Sequence, residues 1–120
     1  MGARLGVVSE EAFREGVRAL LGRELGWRVE RWFGRDDEGL VFGYPRDVEV
    51  DVVVRDDRVI LVEIKAHASA LDVIALLRKA ELYRRKTGRA ADRLVLIMPY
   101  AEEDAREAAE LHGVELVTGV

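Results

Sequence analysis

The 120-residue chain has no cysteine, which excludes a disulfide framework, a thiolate zinc site and a cysteine nucleophile. It has no apolar run near the roughly 18 residues that a membrane helix requires. The opening stretch, MGARLGVVSE, lacks the long apolar segment of a secretory signal, so a cytoplasmic location is expected. Lysine is scarce: Lys65, Lys79 and Lys86 are the only ones among 19 basic residues. Dense charge without cysteine hints at a thermophilic or GC-rich source. A surplus of positive charge is also missing. The formal net charge of −4 argues against purely electrostatic binding of nucleic acid, although carboxylates gathered round a cation would change the sign locally.

What remains is the composition of a globular domain, 49% hydrophobic and 35% charged. The length suits one compact unit, and neither a repeat nor a low-complexity tract divides it, so residues 1–120 read as a single domain. Ser9 is a plausible N-cap, with Glu10 and Glu11 favoured by the helix dipole behind it. Phe13, Val17, Leu20 and Leu21 carry that helix to about Leu25, where Gly26 ends it. Trp27 to Phe33 reads as a strand, GRDDEG as a turn, and Leu40 to Tyr44 as a short strand stopped by Pro45. Val48 to Arg55 and Val59 to Ala66 are the two strongest strand patterns. Ser69-Ala-Leu-Asp72 has capping-box form and opens a helix with Val73, Leu76, Leu77, Ala80 and Tyr83 inward, ending near Thr87-Gly88. Arg93 to Met98 reads as a buried strand, Ala101 to His112 as a helix, and Val114 to Thr118 as a last strand. The expected fold class is α/β, a mixed sheet flanked by helices.

The two strong strands pose the central question, because charges alternate with their apolar residues. If one face meets the core, Val50 and Val52 must join Val62 and Ile64, which calls for pairing Val52 with Val62 across a three-residue loop, Asp56-Asp57-Arg58. Asp51 then falls opposite Glu63, and Glu49 opposite Lys65. Facing carboxylates destabilise a sheet unless something neutralises them. Two accounts remain open at this level: a polar face turned to water, or a divalent-cation site between Asp51 and Glu63.

An acid on one strand followed by Glu63-Ile64-Lys65 on the next, inside a helix–strands–helix–strand frame, resembles the PD-(D/E)XK nuclease superfamily. The likeness is greatest to an uncharacterised archaeal group in it, through AFREGVRALL, VEVDVVV, VEIKA, RKAELYRRKTGR and RLVLIMPY. Holliday-junction resolvases and RecB-like nucleases are more distant by the same comparison. The chain departs from the family pattern at Val50, where proline often precedes the aspartate. It departs again at Lys79, where RecB-like members carry the glutamine of Gln-x-x-x-Tyr; the tyrosine is present as Tyr83.

The resemblance implies a restriction-endonuclease-like fold, an αβββαβ core with a C-terminal αβ extension, and a metal-dependent endonuclease acting on DNA, branched or otherwise structured. Mg²⁺ or Mn²⁺ would be held by Asp51, Glu63 and the main-chain carbonyl of Ile64, with Lys65 orienting the attacking water and Glu49, Lys79 and Tyr83 as accessories. A small domain of this kind is expected to work as a homodimer. A nuclease fold retained for binding or interaction without turnover is the alternative. Glu10, Glu15 and Glu24 are first-helix acids with no assigned role. His67 suits either a substrate rim or a solvated strand end, and His112 suits a helix end. Arg84, Arg85, Lys86 and Arg89 form a basic cluster that could meet phosphates or simply favour a helix terminus. Trp27 and Trp32 have opposite parity, so at least one is expected in the core.

Overall fold

The computed structural model describes residues 9–118. Residues 1–8, most of the stretch read above for a secretory signal, lie outside it. Helix α1 (Glu10–Arg23) starts at Ser9, whose hydroxyl accepts the Ala12 amide at 3.1 Å. Strands β1 (Arg28–Asp36), β2 (Arg46–Arg55) and β3 (Arg58–Ile64) follow as an antiparallel meander. Strand β4 (His67–Ala68) precedes helix α2 (Ala70–Thr87), where Asp72 accepts the Ser69 amide at 2.8 Å in the expected capping box. Strands β5 (Arg93–Ile97) and β6 (Tyr100–Ala101), helix α3 (Glu103–His112) and strand β7 (Glu115–Val117) are the remaining elements among the described residues. Helices α2 and α3 both end on a glycine in the left-handed region, Gly88 at φ 80° and Gly113 at φ 72°.

The main sheet has the order β1-β2-β3-β5-β7, antiparallel on the β1 side and parallel from β3 onward. Parallel neighbours need a crossover, and α2 and α3 supply the two. Strands β4 and β6 pair as a separate two-stranded sheet that the sequence pattern does not announce. Both faces of the main sheet are covered. Val50, Val52, Val59, Leu61 and Leu96 pack with Leu76 and Tyr83 of α2 and Ala105 and Ala109 of α3. Val53, Ile60, Val62, Ile64, Val95 and Ile97 pack with Val17 and Leu21 of α1 on the other face. Each fully buried Leu or Ile contributes on the order of 1.5–3 kcal/mol, so both layers are needed.

Three expectations are corrected. The hairpin pairs Asp51 with Val62 and Val54 with Val59, leaving a two-residue turn of Asp56 and Asp57. Both turn residues have positive φ, 53° and 63°, the mirror-image turn that matches the twist of a tight hairpin. Asp51 therefore does not face Glu63, and the same register would set Glu49 against Ile64 rather than Lys65, although the ladder ends before reaching them. Leu40 to Tyr44 is not a strand but a chain of turns folded round Asp36. That carboxylate, 1% exposed, accepts the amides of Leu40 at 3.0 Å and Val41 at 2.8 Å. Strand β3 stops at Ile64 rather than Ala66, so Lys65 lies just past its end.

Candidate active site at the strand fork

Strand β2 pairs with β1 from Arg46 to Val54 but with β3 only from Asp51 to Arg55. Beyond that point β3 continues beside β5, with Glu63 next to Leu96 and Ile64 next to Ile97. The two strands of the hairpin thus separate into a fork. The Lys65 amide donates to the Ile97 carbonyl at 2.9 Å, toward β5. Backbone polar groups alternate sides along a strand, so the Ile64 carbonyl is directed toward the open side, past the last rung with β2.

Asp51 and Glu63 line one hollow at this fork, though they belong to opposite faces of the sheet. Asp51 shares the α1 face with Val53; its side chain is 5% exposed and bound by Arg18. The Arg18 Nε lies 3.2 Å from both carboxylate oxygens, and Nη2 lies 3.0 Å from Oδ2. Burial works against the Arg18 charge, but the hydrogen bonds to Asp51, reinforced by Glu15, outweigh it and raise its pKa. Arg31 approaches the same aspartate at 3.9 Å and Glu49 at 3.8 Å. Glu63 shares the α2 face with Leu61 and accepts a 2.7 Å hydrogen bond from Lys79 Nζ.

Lys79 is itself buried and also donates to the Glu49 carbonyl at 2.8 Å, joining the two prongs of the fork. Lys79 thus touches the Glu63 carboxylate directly. Tyr83, one helical turn later, is buried and packs edge-on against Trp32 with ring centres 5.2 Å apart. Trp32 belongs to the α2 face and Trp27 to the α1 face, as their opposite parity requires. Lys65 sits between the starts of α1 and α2, with Nζ 3.7 Å from Glu10 and 3.8 Å from Asp72. Glu10 also accepts the Ala66 amide at 3.2 Å. Of the first-helix acids, then, Glu10 reaches the E-x-K segment. Glu15 braces Arg18, and Glu24 is the helix C-cap.

A face turned wholly to water does not describe the hairpin, because Asp51 and Lys79 are buried while Glu49 stays half exposed. Whether a metal suits the fork depends on its donors. Two carboxylates and a main-chain carbonyl form an all-oxygen set, the kind that Mg²⁺ and Mn²⁺ take. Each carboxylate, however, is already neutralised by a cation of this chain, and among the described residues no three acidic or histidine side chains converge as ligands. The chemistry of the donors fits; their charge is balanced internally.

Arg18 and Arg31 are functional candidates that sequence reasoning missed. The available signal was Arg18 beside Val17 on the inward side of α1, a charge where the pattern asks for an apolar residue. His67 is exposed and pairs with Glu102 at 3.3 Å beside the Tyr100 ring. Arg84 and Arg85 are held by Glu81, and Arg89 donates to the Asp57 carbonyl at 3.0 Å, so much of the basic cluster is tied into the fold.

Similar architecture occurs in solved nucleases. EndoMS in its apo form aligns over 93% of this chain and 46% of its own, with TM-score 0.62 and 18% identity. A repair endonuclease from Pyrococcus abyssi aligns over 95% and 49%, with TM-score 0.58 and 19% identity. An EndoMS–dsDNA complex matches over 93% and 46%, at TM-score 0.59 and 18% identity. The chain spans about half the length of these proteins. No curated protein matches it. A family described as of unknown function matches residues 1–45. The PD-(D/E)XK nuclease superfamily matches residues 46–115, more than half of the chain and all of the fork except its helical brace, and to that superfamily the chain belongs.

Proposed function

We propose that the chain is a divalent-metal-dependent nuclease domain that hydrolyses DNA phosphodiester bonds, with structured or branched DNA as the substrate. The observation that supports this reading is the separation of β2 from β3 past Asp51, where Asp51 and Glu63 line one hollow and Lys65 follows the end of β3. Mg²⁺ or Mn²⁺ held by the first three would supply charge neutralisation at the phosphate and hydroxide near neutral pH. The chain's own groups do the rest. Lys65, placed between Glu10 and Asp72, orients the attacking water and stabilises charge developing on phosphorus-bound oxygen. Lys79 fixes Glu63 and ties it to the Glu49 prong, while Tyr83 and Trp32 hold α2 against the sheet beneath. The structural relative seen with double-stranded DNA supports DNA as the polymer. Homodimer formation would supply contact surface that one small domain lacks.

Asp51→Asn, Glu63→Gln and Lys65→Ala test the assignment in a cleavage assay on linear and branched DNA with Mg²⁺. Each should lose about 100-fold or more in rate, with an unchanged circular dichroism spectrum. Wild-type cleavage in any of them would remove that residue from the chemistry. A second reading, a nuclease fold kept for binding without turnover, draws on the pairing of Asp51 with Arg18 and Glu63 with Lys79. It is favoured if the wild type binds DNA yet never cuts it under any divalent ion.

A further inference from the structure

The mouth of the fork carries aromatic rings that the core does not use. Phe33 is 64% exposed, Tyr44 54% and Phe42 40%, although neither phenylalanine has a polar end to justify contact with water. Phe33 and Phe42 line one groove of about 590 Å³ together with Arg46, Lys65, Lys79 and Glu63. That volume lies within the roughly 300–1,000 Å³ of sites that enclose small organic ligands. The Arg46 guanidinium lies 4.6 Å from the centre of the Phe42 ring and 5.9 Å from that of Tyr44. Lys79 Nζ is 5.8 Å from the Phe42 ring and 2.7 Å from Glu63. Stacking surface, a planar cation and the Glu63 carboxylate therefore follow one another within a single groove.

We infer that this groove binds an unpaired nucleotide, its base stacked on Phe33 and Phe42 and its phosphate drawn toward Arg46 and Lys65. The inference deepens the nuclease reading and rests on it for the position of the phosphate. Exposed ring faces beside cations suit a base outside a duplex, because a paired base already has both faces covered by its neighbours. The groove also contains Asp47 and Glu49, so net positive charge does not account for binding here; the rings do. The preferred substrate is accordingly DNA with a flap, a gap or a displaced base rather than a continuous duplex.

The test is a binding measurement without divalent metal, so that no turnover is required. Fluorescence anisotropy would compare a single-stranded oligonucleotide, its blunt duplex, and a duplex with one unpaired nucleotide, using wild type, Phe33→Ala and Phe42→Ala. Both rings are exposed, so the variants should keep the wild-type melting temperature. The expected result is at least tenfold tighter binding of the single strand and the unpaired-nucleotide duplex than of the blunt duplex. Each substitution should weaken the first two about tenfold and leave the third unchanged. Equal affinity for all three oligonucleotides, or variants that keep the preference, would overturn the inference. So would a finding that the rings bury themselves in a dimer, seen as dissociation of the Phe33→Ala variant in sedimentation with no change in oligonucleotide binding. A preserved preference in a protein that never cleaves would instead uphold the stacking groove and bring down the nuclease reading.

Discussion

Replacing Arg18 with methionine removes the guanidinium that neutralises Asp51 and keeps most of the aliphatic stem. The Arg18 side chain is 16% exposed and Asp51 5%, so the pair is largely shielded from water. Breaking a buried pair costs about 3–5 kcal/mol, because the remaining charge is left without its partner. Arg31 remains 3.9 Å from Asp51, which brings the expected loss down to about 2–3 kcal/mol. For a domain of this size that is a fall of roughly 10 °C in melting temperature. If Asp51 is a cation ligand, the variant should then respond strongly to Mn²⁺. Ligand at 100 times its dissociation constant stabilises by about 2.7 kcal/mol, enough to recover most of the loss. The wild type should respond less, since the ion must first displace Arg18. Differential scanning fluorimetry across a Mn²⁺ series reads both effects, with Arg18→Met/Asp51→Asn as the unresponsive control. Equal shifts in wild type and Arg18→Met, or no shift in the variant, would refute the idea that Arg18 stands where a cation binds.

Asp36 gives a pH prediction. Burial raises its pKa, but the amides of Val41, Leu40 and Gly39 outweigh that and hold it below the ordinary value. A depressed folded pKa means its stabilisation is complete above the usual aspartate value of about 3.9 and is lost as pH falls through the folded value. Urea melts from pH 7 to pH 3 should show this loss, and Asp36→Asn should flatten it. In the hairpin turn, Asp57→Gly should stabilise by about 1 kcal/mol, since φ of 63° strains any residue with a Cβ; a lower urea midpoint would contradict that. Gly34→Ala would place its Cβ 2.2 Å from the Trp32 ring. The ring must then leave Tyr83, at a cost of about 1–3 kcal/mol, visible as a changed tryptophan emission.

Much of the frame was legible in the chain. Ser9, Ser69, Gly88 and Gly113 mark helix ends because capping is local chemistry, and the element order follows from apolar spacing. The hairpin register was misread for a physical reason. The expectation assumed one buried face, which required the valines of β2 and the isoleucines of β3 to lie together. Here α1 covers one face and α2 with α3 the other, so both sets are buried and no single-face rule fixes the pairing. The tight turn decides instead. Leu40 to Tyr44 looked like a strand because its residues are apolar and aromatic, yet the Asp36 carboxylate satisfies its amides first. Asp51, Glu63, Lys65 and Lys79 stand out in the sequence, but the pairing of Arg18 with Asp51 and of Lys79 with Glu63 does not, because the partners lie 33 and 16 positions apart.

The Asp56–Asp57 turn has a consequence far from itself. Asp51 lies five residues before it, roughly 16 Å along the strand. Turn length nevertheless sets the phase of the whole hairpin: with two residues, Asp51 and Glu63 emerge on opposite sides, one answering to α1 and the other to α2. One added residue would bring both carboxylates to the same side and leave one helix without its counterion partner. The hairpin tip thus acts as a remote parity switch for the charge pattern of the cleft, and an insertion there should disturb the fork without touching any residue in it.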